Sequence, residues 1–199
     1  LRDPVRDLII RLDLPALLVE PLPDLFELLV CNYRGHNNVC FKNVAVSDRS
    51  GHADMFRFST TMEGLPDWAQ GTASFDKQVL LKHKSAQVGG RDIERYIETV
   101  RVPVLTIRQI IEEHAWLSPL LLLQVDTEGH DLHVIQSALD AGCSPKVIHY
   151  EHKHLTFEDQ EKCRDLLASK GYCLCSDTVD TLATRDPFPG TVAEQATSA

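Results

Sequence analysis

Short apolar runs alternate with amphipathic helical segments along the chain, and this alternation restricts the fold more than any other feature. Apolar residues recur at helical spacing in the segments 5–12, 22–29, 107–111, 132–139 and 157–169. Between them lie apolar runs of strand length at 16–19, 39–46, 102–107, 120–125 and 145–150. This order predicts an α/β fold with a parallel sheet covered by helices, and the runs 172–175 and 179–183 predict a C-terminal antiparallel hairpin.

The alternation weakens between residues 51 and 100. Residues 55–58 predict an antiparallel strand, whereas 60–74 are rich in Gly, Thr and Ser and predict a long loop. Loops of this length inside a domain are usually functional or mobile. We therefore expect one domain over residues 1–188 with an insertion at about 51–100, and a flexible tail over 189–199.

Charge and cysteine content disfavour several classes of protein. The chain has 199 residues and a formal net charge of −9, and an acidic surface repels nucleic acid and anionic membranes. No apolar run reaches the roughly 18 residues that a membrane helix needs. The six cysteines include no Cys-x-x-Cys pair, which favours reduced, buried thiols in a cytoplasmic protein.

Acidic side chains follow three of the predicted strands, where parallel α/β sheets bind their ligands. A carboxylate at Glu20 can accept both hydroxyls of a ribose, and the alternative is a solvated glutamate before a turn. Asp126 and Glu128 can share a cation or supply a base, and the alternative for Asp126 is a helix N-cap. Glu151 and His152 can complete a base or metal site with Asp126, and the alternative for His152 is a hydrogen-bonded core or surface residue.

Several ordered segments resemble FkbM-type methyltransferases. They are LLVEPLPDLFELL (17–29), NVAVSDRSG (43–51), VPVLTIRQII (102–111), LLLQVDTEGHDLHVI (121–135) and VIHYEH (147–152). The resemblance implies a class I methyltransferase that uses S-adenosylmethionine, with a Rossmann-like, mostly parallel sheet. It also implies that the methyl acceptor is a small molecule, with a hydroxyl of a sugar, a polyketide or a similar compound as the reacting group. A homo-oligomer is compatible with the resemblance.

The resemblance also assigns residues to the cofactor. They are Glu20, Pro21, Asn43, Val44, Ala45, Ser74 and Asp126. Glu20 would hold the ribose, residues 43–45 would flank the adenine, and Asp126 would lie beside the methionine moiety. Ser74 resembles a small polar position that the family keeps near the cofactor.

Methyl transfer to a hydroxyl requires a group that removes the hydroxyl proton. The candidate bases are Asp126, Glu128 and His152. Alternatively, a divalent cation held by Asp126 and Glu151 would lower the pKa of the hydroxyl, although the spacing by itself assigns no residue to a metal. Residues 60–96 would then form the acceptor pocket or a lid over it.

One motif of the family has no counterpart here, namely the first strand with its glycine-rich loop. We expect this part to lie upstream of Leu1. The alternative is a degenerate copy that serves as a catalytically inactive Rossmann-like binding or assembly module. A nicotinamide-dependent oxidoreductase would also place an acidic residue after the second strand, but the Asp-x-Glu-Gly segment disfavours it and its Gly-x-Gly fingerprint is equally missing.

Overall fold

The computed structural model describes residues 5–61, 65, 67–82 and 93–186. Its elements, in chain order, are α1 (Arg6–Leu12), β1 (Ala16–Val19), α2 (Pro23–Asn32), β2 (Val39–Lys42), β3 (Ala45–Val46), β4 (Gly51–Phe58), α3 (Asp67–Gly71), β5 (Ala73–Ser74), α4 (Lys77–Lys82), β6 (Ile97–Leu105), α5 (Ile107–Glu113), β7 (Leu122–Val125), α6 (Asp131–Asp140), β8 (Val147–Glu151), α7 (Phe157–Ser169), β9 (Cys173–Ser176) and β10 (Asp180–Thr184). Short 3-10 turns at Ile93–Tyr96 and Ala115–Leu117 precede β6 and follow α5.

Local sequence signals explain where two of the later helices begin. At the start of α5, the Thr106 hydroxyl accepts from the Gln109 N–H, and the Gln109 side chain accepts from the Thr106 N–H. At the start of α7, the Thr156 hydroxyl accepts from the Asp159 N–H. Gly171, at φ +81°, reverses the chain after α7. The prediction of a helix over 157–169 is therefore confirmed.

The described strands pair in three sheets. β1 pairs with β2, and the other two sheets have the orders β3-β6-β4-β5 and β7-β8-β10-β9. The pairs β1–β2, β3–β6 and β7–β8 are parallel, whereas every pair that involves β4 or β10 is antiparallel. The fold is α/β with mixed sheets, so the predicted predominance of parallel pairing is wrong for the described strands. The C-terminal hairpin β9–β10 is confirmed.

Two stretches differ from the predicted elements. The run 39–46 forms two strands in different sheets, because Asn43 between them donates its side-chain N–H groups to the carbonyls of Glu20 and Pro21, at 2.8 and 3.1 Å. The run 60–74, predicted as a loop, contains α3 and β5. Every residue of β4 pairs with a residue of β6. Predictions for residues 62–64, 66, 83–92 and 187–199, including the tail, lie outside the described residues.

β1 and β7 are edge strands of their sheets. Neither pairs with a further strand of the described ranges on its second side. Leu17 of β1 nevertheless packs against the same core cluster as Val125 of β7, so the two strands share one hydrophobic core. The expectation of a first strand outside this chain stays a prediction.

The largest core cluster joins β7, β8 and β10 to the helices α5, α6 and α7. Its buried members include Ile110, Val125, Ile135, Ile148, Leu167 and Ala183. Burial of these apolar side chains fixes α6 against the two parallel strands, because close-packed interiors resist displacement. The carboxyl ends of β7 and β8 are thereby held side by side.

The helices are short, and the cysteines form no disulfide bonds. None of the helices in the described ranges is long and apolar enough to cross a membrane. All six cysteines are unpaired; Cys163 is buried, but Cys31, Cys173 and Cys175 are exposed. The predicted burial of the thiols is therefore wrong for these three.

Candidate functional site

The carboxyl ends of β7 and β8 carry the acidic residues that the sequence singles out. The two strands are parallel, and Val125, the last residue of β7, is in register with Tyr150 of β8. The chain therefore leaves both strands at the same edge of the sheet, through the loop 126–130 and the turn 152–156. This register brings Glu128 of the first loop close to Glu151, the last residue of β8.

Glu128, Glu151 and His154 form a compact cluster, which we call the Glu-Glu-His cluster. One ligand atom from each residue lies within 4.8 Å of the others. The His154 Nε2 atom is 3.2 Å from Glu128 Oε2 and 3.8 Å from Glu151 Oε2. The exposed fractions of the three side chains are 23% for Glu128, 13% for Glu151 and 8% for His154. Glu128 Oε2 and Glu151 Oε2 are buried and accept no hydrogen bond from the residues that the structure describes.

The charge state of this cluster differs from that of ordinary carboxylates. Burial raises the pKa of Glu128 to about 7, and the negative charges of Asp126 and Asp131 add to the effect. Burial, followed by the charge of Glu128, raises the pKa of Glu151 to about 8. Lys153 opposes both shifts. At neutral pH both glutamates are therefore protonated to a greater extent than ordinary carboxylates, and Glu151 more so than Glu128.

Asp131, which the sequence analysis did not select, connects the two loops. Its side chain is completely buried at the first turn of α6. Oδ1 accepts a hydrogen bond from the Glu151 N–H at 3.2 Å, and Oδ2 accepts one from the Thr127 hydroxyl at 2.7 Å. Burial raises the pKa of Asp131 to about 6. The sequence gives no clear signal for this burial, because an acidic residue in the first turn of a helix is ordinarily exposed.

The backbone of Glu128 has an unusual conformation that its neighbours hold in place. Its φ angle is +53°, a left-handed value that costs a non-glycine residue free energy. The Ser74 hydroxyl donates to the Glu128 carbonyl at 2.7 Å. Gly129, at φ +101°, lies so close to His154 that a Cβ atom there would be 3.2 Å from the His154 carbonyl oxygen. Ser74 therefore contacts the loop that carries Glu128.

Asp126 occupies the outer side of the same edge. Its side chain is exposed to solvent and has no side-chain hydrogen bond or ion pair within the described ranges. Partial desolvation raises its pKa, and the charge of Asp180 adds to the effect. Because α6 begins at Asp131 with His130 as its N-cap, the alternative role of Asp126 as a helix cap is wrong.

His152 lies apart from the Glu-Glu-His cluster. Its Nδ1 atom is 2.9 Å from the hydroxyl of Thr181 on β10, and that hydroxyl also contacts Ser176 at 2.8 Å. The histidine that the structure brings to the glutamates is His154. The catalytic role predicted for His152 has no support in this geometry and stays a prediction.

Glu20 follows β1 at the corresponding edge of the first sheet. Its Oε1 atom accepts a hydrogen bond from the Leu22 N–H at 2.8 Å, and no other hydrogen bond to this carboxylate is seen among the described residues. Burial raises the pKa of Glu20 to about 7. Asn43 fixes the backbone of this turn through the carbonyls of Glu20 and Pro21, whereas Val44 is partly exposed and Ala45 is buried in a core cluster.

An open cavity of about 290 Å³ adjoins the loop 126–130. Its lining includes Phe75 and His130, the chain neighbours of Ser74 and Gly129, together with Ser47 and His52. The His130 Nε2 atom is 2.9 Å from the Ser47 hydroxyl, and burial lowers the pKa of His130 to about 4. His130 is therefore neutral at physiological pH. The cavity lining combines polar side chains and one aromatic ring with the charged side chains of Arg49 and Asp54.

Comparison with known proteins identifies one family. A family model described as the methyltransferase FkbM domain matches residues 9–174. No curated protein and no solved structure matches the chain. The matched range covers most of the chain and includes Glu20, Asp126 and the whole Glu-Glu-His cluster. The chain belongs to the FkbM methyltransferase family.

Proposed function

We propose that this protein transfers a methyl group from S-adenosylmethionine to a hydroxyl of a small molecule such as a sugar or a polyketide. Family membership supports methyl transfer in general. The observation that carries the finer assignment is a pair of under-coordinated carboxylates, Glu20 and Asp126, each at the carboxyl end of a parallel strand. Ligands of α/β sheets bind beyond these ends.

Glu20 has the properties required for the ribose of the cofactor. One of its oxygens is fixed by the Leu22 N–H, and burial disfavours its charged form, as its raised pKa indicates. Two ribose hydroxyls would supply the donors that this desolvated carboxylate lacks. Asn43 acts as a positioning residue, because it fixes the two carbonyls on either side of the Glu20–Pro21 bond.

Asp126 is our candidate for the group that receives the hydroxyl proton. When bound, S-adenosylmethionine supplies an activated methyl group, and the protein must align and deprotonate the acceptor. The Asp126 carboxylate is accessible, has no hydrogen-bond partner within the described ranges, and has a raised pKa, which makes it a better base than an ordinary aspartate. The cavity of about 290 Å³ that His130 of the same loop lines, with charged and polar side chains beside Phe75, is our candidate pocket for a small hydroxylated acceptor.

Calorimetry with S-adenosylhomocysteine tests the cofactor assignment. We expect the wild-type chain to bind this product and Glu20→Gln to bind it at least about tenfold more weakly, because two charge-assisted hydrogen bonds are lost. Glu27→Gln, on the exposed face of α2, is the matched control and should bind like wild type. Absence of binding by the wild-type chain would overturn the proposal and favour a catalytically inactive binding module.

Transfer of radiolabelled methyl groups to a panel of saccharide and polyketide alcohols tests the base. Asp126→Asn should lower turnover by about 10²-fold or more, the usual contribution of a general base, with little change in the circular dichroism spectrum. Asp140→Asn, on the exposed end of α6, is the control for the same chemical change. Equal turnover by the two variants would eliminate Asp126 as the base.

A further inference from the structure

The Glu-Glu-His cluster has a donor set that the proposed methyl transfer does not use. The loop after β7, the last residue of β8 and the turn after β8 each supply one side chain, and one nitrogen and two carboxylate oxygens lie within 4.8 Å of one another. Imidazole nitrogens and carboxylate oxygens are common ligands of transition metal ions. The sequence suggests a cation between Asp126 and Glu151, but the structure groups Glu128 with Glu151 and leaves Asp126 in solvent.

Burial distinguishes this cluster from a chance group of surface acids. Glu128 Oε2 and Glu151 Oε2 are inaccessible to solvent and have no hydrogen-bond partner in the described part of the chain. Buried polar atoms are otherwise almost always hydrogen-bonded, so two orphaned carboxylate oxygens beside one imidazole call for a missing positive group. Lys153 is the neighbouring cation that lowers the repulsion, and Asp126 and Asp131 increase it.

The protein also holds the three side chains in a fixed arrangement. Ser74 donates to the carbonyl of Glu128, whose backbone is left-handed at φ +53°. Asp131 accepts from the N–H of Glu151, and Gly129 packs directly against the backbone of His154. Outer contacts of this kind orient metal ligands and tune their affinity.

We propose that Glu128, Glu151 and His154 form a binding site for a divalent first-row transition metal ion, with Mn²⁺ and Zn²⁺ as the representative ions. Two carboxylates and one imidazole suit these ions better than Mg²⁺ or Ca²⁺, which prefer oxygen ligands alone. Three protein ligands leave coordination positions open, as in catalytic metal sites. An open position would accept the hydroxyl of the methyl acceptor and lower its pKa, a role that rests on the proposed function.

Metal uptake by the tag-free chain tests the site directly. The protein is treated with EDTA, dialysed into metal-free buffer and titrated with MnCl₂, with free Mn²⁺ measured by electron paramagnetic resonance; ZnCl₂ is titrated by calorimetry. We expect one ion per chain. Glu151→Gln and His154→Gln should weaken binding at least about tenfold, the lower end of the losses seen even for outer contacts of metal ligands. Glu158→Gln, on the exposed face of α7, should bind like wild type.

Thermal unfolding gives a second measurement. Saturating metal should raise the Tm of wild type and of Glu158→Gln by a few degrees, because it binds the folded state, and the shift should be absent in Glu151→Gln. Glu128→Gln is a third variant of the cluster. Circular dichroism shows which of the three variants are folded. If wild type takes up neither ion at one per chain, or if a folded cluster variant binds like Glu158→Gln, the two glutamates share a proton instead and the metal proposal is wrong. These titrations contain no S-adenosylmethionine, so their failure is separate from a failure of the calorimetry with S-adenosylhomocysteine.

Discussion

The buried carboxylate of Asp131 leads to a prediction in which hydrogen bonding and charge are separable. Asp131→Asn keeps an oxygen for the Glu151 N–H and presents an amide N–H₂ group to Thr127, whose hydroxyl can rotate to accept. Asp131→Ala removes both interactions and leaves the Glu151 N–H without this acceptor. An unsatisfied buried donor costs about 1–3 kcal/mol. The Ala variant should therefore be less stable than the Asn variant by about that amount at any pH.

The charge of Asp131 produces a dependence on pH that the hydrogen bonds do not. In the folded protein its pKa is raised to about 6 from 3.8, so the folded state holds this proton more tightly than the unfolded state does. The resulting stabilisation is fully present below pH 3.8 and is lost as the pH rises through about 6. A pKa difference of this size corresponds to about 3 kcal/mol. Between these pH values, wild type should therefore lose up to that much free energy of unfolding relative to Asp131→Asn.

Urea unfolding of wild type and both variants at about pH 4 and pH 7 measures these terms. At the acidic pH, Asp131→Asn should be no more stable than wild type. At neutral pH, it should be no less stable than wild type. The Ala variant should follow the same trend about 1–3 kcal/mol lower. Equal stabilities of the Asn and Ala variants would refute the hydrogen-bond assignment. A difference between wild type and Asp131→Asn that does not change with pH would refute the assignment of a buried charge.

Three further substitutions test the supports of the site. Ser74→Ala removes the hydrogen bond to the Glu128 carbonyl, should cost about 1 kcal/mol in urea unfolding, and should weaken Mn²⁺ uptake, whereas exposed Ser144→Ala should change neither. Gly129→Ala should destabilise the fold by more than about 1 kcal/mol, because φ is +101° and the new Cβ would press on the backbone of His154; an unchanged urea midpoint would contradict the packing described here. Thr106→Ala should lose about 1 kcal/mol through the capping box of α5 and should leave metal uptake unaffected, so a change in uptake would show that α5 influences the site.

Elements that depend on local signals could be predicted from the sequence. The α7 helix has a capping residue at Thr156 and a terminating glycine at Gly171, both within one turn of its ends. The β9–β10 hairpin connects two adjacent apolar runs, and its pairing requires no distant partner. Both were predicted with nearly the observed bounds.

Elements that depend on distant contacts could not be predicted. The run 39–46 has uniform strand character, and its division at Asn43 depends on carbonyls that lie more than twenty residues earlier. β4 pairs with β6 across about forty residues of intervening sequence, which hides the pairing from any local pattern. The burial of Asp131 likewise results from packing of α6 against β8, so an aspartate in a first helical turn looked like an ordinary exposed residue.

Strand geometry explains why the site contains His154 and not His152. Successive side chains of a strand point to opposite faces, so Glu151 and the next residue cannot both reach a ligand at the strand end. His152 accordingly contacts Thr181 on β10, whereas the turn after β8 returns His154, three residues beyond Glu151, to the face of the glutamate. Alternation does not separate Asp126 from Glu128, which are two residues apart, but the backbone of Glu128 is left-handed at φ +53°, and only Glu128 belongs to the cluster. Partners of a carboxylate at a strand end should therefore be sought two or three residues into the following turn, because adjacency in sequence there implies separation in space.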